Sequence, residues 1–185
     1  VQRIKSGNVD EFDYIIINPP YKKLPADSIE NKRLLDIGID TSNYYASFVA
    51  LATRFLVDKG ELVAITPRSF CNGVYFKKYR EDIKSNLRFR NIHIFESRTS
   101  LFRKDEVLQE TIIFHCIKDR WDDNKRVEII YSKDENFENL ISQKIRLDEL
   151  MYPNDQDMII RIMKDNNDKQ ISDKIESLPC SPGDL

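Results

Sequence analysis

The chain has 185 residues, which is enough for one domain with a sizeable hydrophobic core. Its 29 Lys and Arg residues nearly balance its 31 Asp and Glu residues, so the net charge of -2 excludes a globally basic nucleic-acid-binding protein and confines any basic surface to a local patch. The three widely spaced cysteines exclude a disulfide scaffold and favour a reducing cytoplasm, and no apolar segment approaches membrane-spanning length.

The first predicted element is a short apolar segment, Phe12 to Ile17, whose β-branched and aromatic residues favour a buried strand. The tetrad Asn18-Pro19-Pro20-Tyr21 follows directly. Neither proline has an N–H to donate to a sheet, so the strand ends here. The tetrad is therefore expected in a rigid loop at the carboxyl end of a strand, where open α/β sheets commonly carry their sites.

These four residues suit the chemistry of an exocyclic amine, whose delocalised lone pair makes it a poor nucleophile. The Asn18 side-chain carbonyl and the Pro19 backbone carbonyl can accept its two N–H hydrogens and turn the lone pair toward an electrophile. Tyr21 offers a flat face on which a planar group can stack. The structural alternative is a proline-terminated strand followed by a half-buried tyrosine.

The next predicted elements are a long loop and a helix. Residues 22–41 carry Pro25 and scattered charges, and they are interpreted either as a functional lid or as a disordered surface insertion. A helix is predicted over residues 43–58, with Gly60 as its stop. Its apolar residues fall on one face at helical spacing: Tyr45, Phe48, Val49, Ala52, Phe55 and Leu56.

A second buried strand is predicted over residues 62–66 and is ended by Pro67. If this strand runs parallel to the first, residues 66–70 lie at the same sheet edge as the tetrad. A helix is predicted over residues 75–86. Its pattern places three residues inward (Phe76, Tyr79 and Ile83) and four outward (Lys77, Lys78, Arg80 and Lys84).

Two further strands are predicted over residues 91–95 and 111–117, on either side of a polar loop at 96–106. No helix separates them, so we expect them to pair antiparallel. The order strand–helix–strand–helix–strand–strand predicts an α/β fold.

The pattern is weaker beyond residue 118. It predicts a strand over 126–131, a helical turn over 137–141 and an amphipathic helix over 155–164. Residues 177–185 contain two prolines and a glycine, which is typical of a linker.

The segment from Phe12 to Tyr21 resembles the Asn-Pro-Pro-Tyr signature of S-adenosylmethionine-dependent amino-methyltransferases. The order of elements over residues 8–118 resembles the carboxyl-side half of the catalytic domain in adenine-specific DNA methyltransferases of type II, type IIG-like, restriction–modification systems. This resemblance implies a partial Rossmann-like class I methyltransferase sheet of about four strands, the last inserted antiparallel, with flanking helices.

The resemblance also implies roles at the tetrad. Asn18 and Pro19 would hold the amino group of a flipped adenine, and Tyr21 would stack on that base. Asn18 and Pro20 would contact the S-adenosylmethionine cofactor. Phe48 corresponds by order to an aromatic residue that packs on the cofactor's adenine, although its helical position explains it equally as a core residue.

Phe102 lies in the loop before the last predicted strand, where relatives place an aromatic ring opposite the tyrosine to sandwich the extruded base. Phe70 is the second candidate for this task, and a Phe102 folded into the core is the alternative. Five basic residues are interpreted either as contacts to the DNA backbone or as solvated charges: Lys22, Lys23, Arg68, Arg103 and Lys104. The lone strand histidines His93 and His115 are interpreted as structural, and no cluster predicts a metal site.

The five glycines contain no Gly-x-Gly pair, whereas a nucleotide-type cofactor needs a glycine-rich turn after a strand. In the resembling family this turn and the acid that holds the ribose precede the tetrad, and only 17 residues precede Asn18 here. We therefore expect the cofactor-binding half to lie outside this chain. The first strand would then have a bare apolar edge, and the fragment alone would be inactive and prone to self-association.

The sequence is thus interpreted as the carboxyl-side half of a catalytic domain in residues 1–118, followed in residues 119–185 by an extension toward a missing target-recognition domain. The predicted activity is site-specific DNA adenine methylation in a cytoplasmic bacterial restriction–modification enzyme. The predicted partners are double-stranded DNA, the missing amino-terminal half and the recognition domain, with no membrane. The alternatives are a methyltransferase acting on protein glutamine or on RNA, and a non-catalytic DNA-binding or specificity module that keeps the fold.

Overall fold

The structure is a computed structural model that describes residues 10–95, 110–133, 140–164 and 166–176. Six strands form one sheet: β1 Phe12–Ile17, β2 Leu56–Pro67, β3 Arg88–Phe95, β4 Thr111–Ile117, β5 Arg126–Ser132 and β6 Ile141–Arg146. The helices are α1 Ile29–Leu35, α2 Tyr44–Arg54, α3 Lys77–Asn86, α4 Leu147–Leu150 and α5 Asn166–Glu176. Two 3-10 turns, Arg68–Cys71 and Val74–Phe76, connect β2 to α3.

The strand order in the sheet is β1-β2-β4-β3-β5-β6. The β1 and β2 strands are parallel, and β4 runs antiparallel to both of its neighbours, β2 and β3. The predicted antiparallel insertion of the fourth strand is therefore confirmed. Because β1 and β2 are parallel, the loops that follow them meet at one edge of the sheet, as predicted.

Helices α2 and α3 cover one face of the sheet. Val49 of α2 and Ile83 of α3 belong to the same buried cluster as Leu62 of β2 and Phe114 of β4. Alternate β2 residues are buried and half-exposed, which is the period-2 pattern of a sheet that packs mainly on one face.

β1 differs from the predicted buried strand. Phe12, Tyr14 and Ile16 are 49%, 74% and 81% exposed. Among the described residues β1 pairs only with β2, so it forms an edge of the sheet. Because the exposed residues alternate along β1, their side chains lie on one face of the sheet, while the second edge of β1 is unpaired in the described part of the chain.

The predicted helix over 43–58 is too long. Helix α2 ends at Arg54, and β2 begins at Leu56 instead of residue 62. The helix stop expected at Gly60 is in fact part of a β2 bulge, where Lys59 has a φ of 65°. A Cβ at Gly60 would lie 2.9 Å from Val57 O and 3.1 Å from Asp13 O, so the close approach of the two strands requires glycine there.

Residues 22–41 are ordered and contain helix α1, so the interpretation as a disordered insertion is wrong. Ser28 caps α1 by accepting a hydrogen bond from Asn31 N at 3.2 Å. Leu24, Leu34 and Ile39 form a small second core against Ala50 of α2. The interpretation as a lid stays a prediction.

Helix α3 begins at Lys77, after the 3-10 turn, rather than at residue 75. Its three predicted inward residues are buried, as expected: Phe76, Tyr79 and Ile83. Arg80 contradicts its predicted outward position because it is fully buried. Its Nη1 donates to Phe70 O at 2.9 Å and to Gly73 O at 2.8 Å, and its Nε donates to Asp157 O at 2.9 Å. Three backbone carbonyls thus replace solvent around Nε and Nη1, whereas Nη2 is buried without a hydrogen-bond partner among the described residues.

The predicted amphipathic helix over 155–164 is wrong, since this segment is irregular. The Asp155 carboxylate accepts hydrogen bonds from Asp157 N at 2.9 Å and Ile159 N at 3.0 Å. Such side-chain bonds compete with helical backbone bonds. Met158 adopts a φ of 52°, which is incompatible with a right-handed helix.

The predicted strand over 126–131 is confirmed as β5, whereas β6 was not predicted. The helical turn expected over 137–141 is wrong at Ile141, where β6 begins, and residues 137–139 and 177–185 lie outside the described residues. β5 and β6 continue the sheet beyond residue 118, and the proposed division into two domains stays a prediction. No helix in the described ranges is long and apolar enough to cross a membrane.

Candidate active site

The tetrad Asn18–Tyr21 occupies the loop directly after β1, at the carboxyl edge of the sheet. Asn18 is exposed, Pro19 is buried and Tyr21 is half-buried. Because Pro19 is packed into the protein and the φ of Pro20 is restricted, the backbone that carries the exposed Asn18 amide is stiff. The tetrad lies where the sequence predicts it, and the roles of its residues stay predictions.

An aromatic cluster holds the Tyr21 ring in place. Tyr45 of α2 meets it in a T-shaped contact, with centroids 6.3 Å apart and ring planes at 82°. Phe76 in turn packs against Tyr45 at a centroid distance of 5.7 Å. Burial raises the pKa of the Tyr21 phenol to about 12, so the phenol is neutral at physiological pH. Tyr21 therefore supplies a fixed neutral ring and not a base.

The loop after β2 reaches the same edge of the sheet. The hydroxyl oxygen of Tyr45 lies 3.2 Å from Ser69 Oγ, within hydrogen-bond distance. Arg68 donates its backbone N–H to Glu110 O at 2.7 Å, and its Nη1 lies 3.3 Å from the Glu110 carboxylate. The Tyr45–Ser69 contact joins the β2 loop to the aromatic cluster that supports Tyr21.

Lys22 and Lys23 are exposed immediately after the tetrad. Lys22 O accepts a hydrogen bond from Tyr44 N at 2.9 Å, so its backbone is held while its side chain faces solvent. Arg68 is half-exposed and paired with Glu110. Contacts from these basic residues to a phosphate backbone stay predictions. Three further predicted site residues lie outside the described residues: Phe102, Arg103 and Lys104.

Phe70 and Phe48 both differ from their predicted environments. Phe70 is fully buried against Tyr79 and Phe114, so it is not available to stack on a base, and the prediction of Phe70 as a second stacking candidate is wrong. Phe48 is 45% exposed, which contradicts its interpretation as a core residue. Its ring lines an open apolar groove of about 470 Å³ beside β1. The predicted contact of Phe48 with a cofactor is therefore sterically open and stays a prediction.

The two strand histidines have structural partners. His93 Nε2 lies 2.8 Å from Ser132 Oγ, and His115 Nε2 lies 3.1 Å from the Glu61 carboxylate. That neither histidine belongs to a site stays a prediction. The described part of the chain contains no group of three or more His, Cys, Asp or Glu side chains that could hold a metal ion.

Tyr45 and Ser69 are site residues that the sequence reasoning missed. The helical pattern explains Tyr45 as a core residue, and Ser69 belongs to no motif. The available signal is positional, because residues 66–70 and the tetrad both follow parallel strands and so share one edge of the sheet.

Comparisons with known proteins agree with this arrangement. Residues 2–102 match the family model of the Eco57I restriction-modification methylases. The chain is 40% identical over 176 residues to the type II methyltransferase M.PstI of Providencia stuartii, covering 95% of the chain and 34% of that protein. It is 38% identical over 160 residues to the type II methyltransferase M.BsuBI of Bacillus subtilis, covering 86% of the chain and 32% of that protein. The chain thus spans about a third of the length of these relatives.

Solved structures share the fold. A structure of a type I restriction–modification system matches 94% of the chain and 43% of its own chain, with a TM-score of 0.67 and 12% identity. A putative class I S-adenosylmethionine-dependent methyltransferase from Listeria monocytogenes matches 70% of the chain and 40% of its own, with a TM-score of 0.52 and 19% identity. The expected α/β methyltransferase-like fold is confirmed. The chain belongs to the Eco57I restriction-modification methylase family.

Proposed function

We propose that this chain carries the target-base half of the active site of a site-specific DNA adenine methyltransferase that uses S-adenosylmethionine. The observation that carries the proposal is the exposed Asn18 amide on the stiff loop after β1, next to the Tyr21 ring that Tyr45 supports. The family membership of residues 2–102 supports the same function.

The chemistry at the tetrad follows from its hydrogen-bond acceptors. Asn18 Oδ1 and Pro19 O would each accept one N–H of the adenine amine and orient its lone pair for attack. The amine nitrogen held by Asn18 and Pro19 would accept the methyl group that the cofactor supplies, the cofactor would leave as a neutral thioether, and the amine proton would pass to solvent. Tyr21 would stack on the base, which must leave the duplex to reach this loop.

The described residues fit one side of a cofactor site. Asn18, Pro20 and Phe48 are exposed, and the groove beside β1 leaves the Phe48 ring open to a planar group. The bound cofactor supplies an electrophilic methyl group. The sequence contains no glycine-rich turn, so we infer that the rest of the cofactor pocket lies in another part of the full-length protein.

The edge strand β1 supports an inference about partners. Its second edge, which is unpaired in the described part of the chain, is expected to pair with strands from the remainder of the full-length protein, since the chain covers 34% of a relative that it matches closely. A target-recognition domain and double-stranded DNA complete the proposed assembly, with residues 119–185 extending from the catalytic domain.

The test uses the full-length protein, duplex DNA and cofactor with a labelled methyl group. The proposal expects label in DNA, and N6-methyladenine after nuclease digestion and mass spectrometry. N4-methylcytosine would overturn the choice of base. Label in RNA or protein glutamine, but not in DNA, would identify one of the alternative methyltransferases. DNA binding without any transfer would indicate a non-catalytic module.

A further inference from the structure

Tyr45 is a buried tyrosine in the first turn of α2, and its side chain contacts both loops of the candidate site. The side chain is 3% exposed. Its ring meets the Tyr21 ring edge-on, and its hydroxyl oxygen lies 3.2 Å from Ser69 Oγ. Burial raises the pKa of the Tyr45 phenol, so the hydroxyl is neutral and can donate to Ser69. Burying a hydroxyl costs free energy, so a residue that only filled the core would be better as phenylalanine.

The first turn of α2 also holds the backbone of the tetrad loop. Tyr44 N donates to Lys22 O at 2.9 Å, directly after Tyr21. The next residue of the helix, Tyr45, packs on the Tyr21 ring. One helical turn therefore holds both the backbone and the ring of Tyr21, so a shift of this turn would also tilt the ring.

The other end of the Tyr45 contact is rigid. Ser69 lies in the 3-10 turn after β2, where its O accepts a hydrogen bond from Gly73 N at 3.0 Å. The buried Arg80 Nη1 donates to Phe70 O at 2.9 Å and to Gly73 O at 2.8 Å. A Cβ at Gly73 would lie 2.8 Å from Ser69 O, so only glycine permits this close packing. The Ser69 hydroxyl is therefore a fixed point to which Tyr45 is attached.

We propose that Tyr45 is a positioning residue for methyl transfer, which acts through Tyr21. Its hydroxyl, held by Ser69, fixes the angle of the Tyr21 ring before DNA binds, so that the flipped base stacks with its amine at Asn18. A ring that is already oriented gives the base one position, and small displacements of reacting atoms lower a rate strongly. This inference rests on the proposed function and adds to it the residues that orient the base.

The first experiment removes the ring in the full-length protein. Tyr45→Leu is expected to lower the single-turnover rate of methyl transfer roughly tenfold, together with the fluorescence of 2-aminopurine at the target position. The affinity for duplex DNA should not change, since contacts to the phosphate backbone supply most of it. Tyr79→Leu is the matched control, because Tyr79 is 1% exposed and packs on Phe70 in the same core. It should lose stability but keep the rate at a temperature at which it is folded.

The second experiment removes the hydrogen bond and keeps the ring. Ser69 is exposed, so water can replace its hydroxyl in Ser69→Ala and the free energy of unfolding should change little. This water is not attached to the turn, and the rate is expected to fall roughly threefold. Tyr45→Phe should have the same effect, the double variant should fall no further, and Ser69→Thr should restore the rate. Ser85→Ala, at an exposed serine of α3, is the control.

The outcomes separate this inference from the proposed function. If the wild-type protein methylates DNA and Tyr45→Leu is as fast as Tyr79→Leu, the inference is overturned and the proposed function stands. A slow Tyr45→Leu with wild-type rates for Ser69→Ala and Tyr45→Phe also overturns it, because the ring then acts without the turn. If Tyr45→Leu does not fold, the second experiment decides alone: a shared fall that Ser69→Thr restores supports the inference, and wild-type rates overturn it. If the wild-type protein transfers no methyl group to DNA, the proposed function fails and the inference fails with it.

Discussion

The Tyr45 and Ser69 hydroxyl oxygens lie 3.2 Å apart and join helix α2 to the turn after β2. Tyr45 also meets the Tyr21 ring at a centroid distance of 6.3 Å. One side chain therefore connects the two loops that follow the parallel strands β1 and β2. The geometry of the candidate site depends on this connection, because the tetrad loop has no regular secondary structure and the segment after β2 forms only short 3-10 turns.

Asn18→Ala in the full-length protein is expected to lower the rate of methyl transfer by roughly 100-fold or more, since it removes an acceptor that acts as the amine becomes nucleophilic. Asn18 is exposed, so the free energy of unfolding and the affinity for duplex DNA should change little. Single-turnover kinetics with labelled cofactor measures the effect. Asn154→Ala, another exposed asparagine, is the control. A variant with wild-type turnover contradicts the proposed role of the tetrad.

Phe102→Ala is expected to weaken capture of the flipped base by roughly 1–3 kcal/mol, the cost of one lost stacking contact. Fluorescence of 2-aminopurine at the target position reports this loss directly. Phe70→Ala provides the contrast, because Phe70 is fully buried and its truncation should cost about 3–5 kcal/mol of folding stability. Lower fluorescence without a change in melting temperature is expected only for Phe102→Ala. Unchanged fluorescence for that variant excludes Phe102 as the second stacking ring.

Arg80→Met is expected to destabilise the fold by roughly 3 kcal/mol or more, because three backbone carbonyls lose a hydrogen-bond donor, although Gly73 O keeps a second one from Phe76 N at 3.1 Å. These carbonyls belong to Phe70, Gly73 and Asp157. Urea denaturation measures the loss, and Arg90→Met, at an exposed position on β3, is the control. Equal stability of the two variants shows that the buried guanidinium does not hold the turn.

The 185-residue chain alone is not expected to bind S-adenosylmethionine with useful affinity. Without a glycine-rich turn it retains only a few of the contacts that together supply about 8 kcal/mol at a micromolar dissociation constant. Isothermal titration calorimetry of the isolated chain and of the full-length protein makes the comparison. A low-micromolar dissociation constant for the isolated chain shows that the cofactor site is misplaced.

The same isolated chain is expected to self-associate through β1, whose Ile16 side chain is 81% exposed. Ile16→Lys should shift the chain toward the monomer, because a charge on an edge strand opposes strand pairing between molecules. Sedimentation velocity over a concentration series measures this shift. Ile171→Lys, which changes an exposed isoleucine on α5, tests whether any added charge has the same effect.

Local sequence patterns correctly predicted the elements whose apolar pattern matches their environment in the folded protein. β4 and β5 have nearly the predicted bounds, and the proline tetrad marks the end of β1. The predictions failed where side-chain hydrogen bonds or close strand packing override the structure that the local apolar pattern favours. Asp155 binds the backbone of a segment with helical spacing, and the Gly60 bulge lies inside a strand whose first part continues a helical apolar pattern.

The site was predictable only in part. Asn18 and Tyr21 follow from a local motif, whereas the Tyr45–Ser69 contact joins residues 24 positions apart, and no spacing rule encodes it. Arg80 shows the same limit, since the helical pattern assigns a charged residue to solvent. Its burial depends on carbonyls from the preceding turns and from Asp157, which come together only in the folded chain.

The small second core of the 22–41 segment has a consequence for how the molecule opens. Leu24, Leu34 and Ile39 pack on Ala50 and are separate from the main cluster under the sheet. Because this second core is small, we expect the 22–41 segment to open locally at a free energy well below that of global unfolding. Amide protons of α1 should therefore exchange in a faster tier than those of β2 and β4, while α2 stays protected. The 22–41 segment would then open as a unit while the Asn18–Tyr21 loop stays in place.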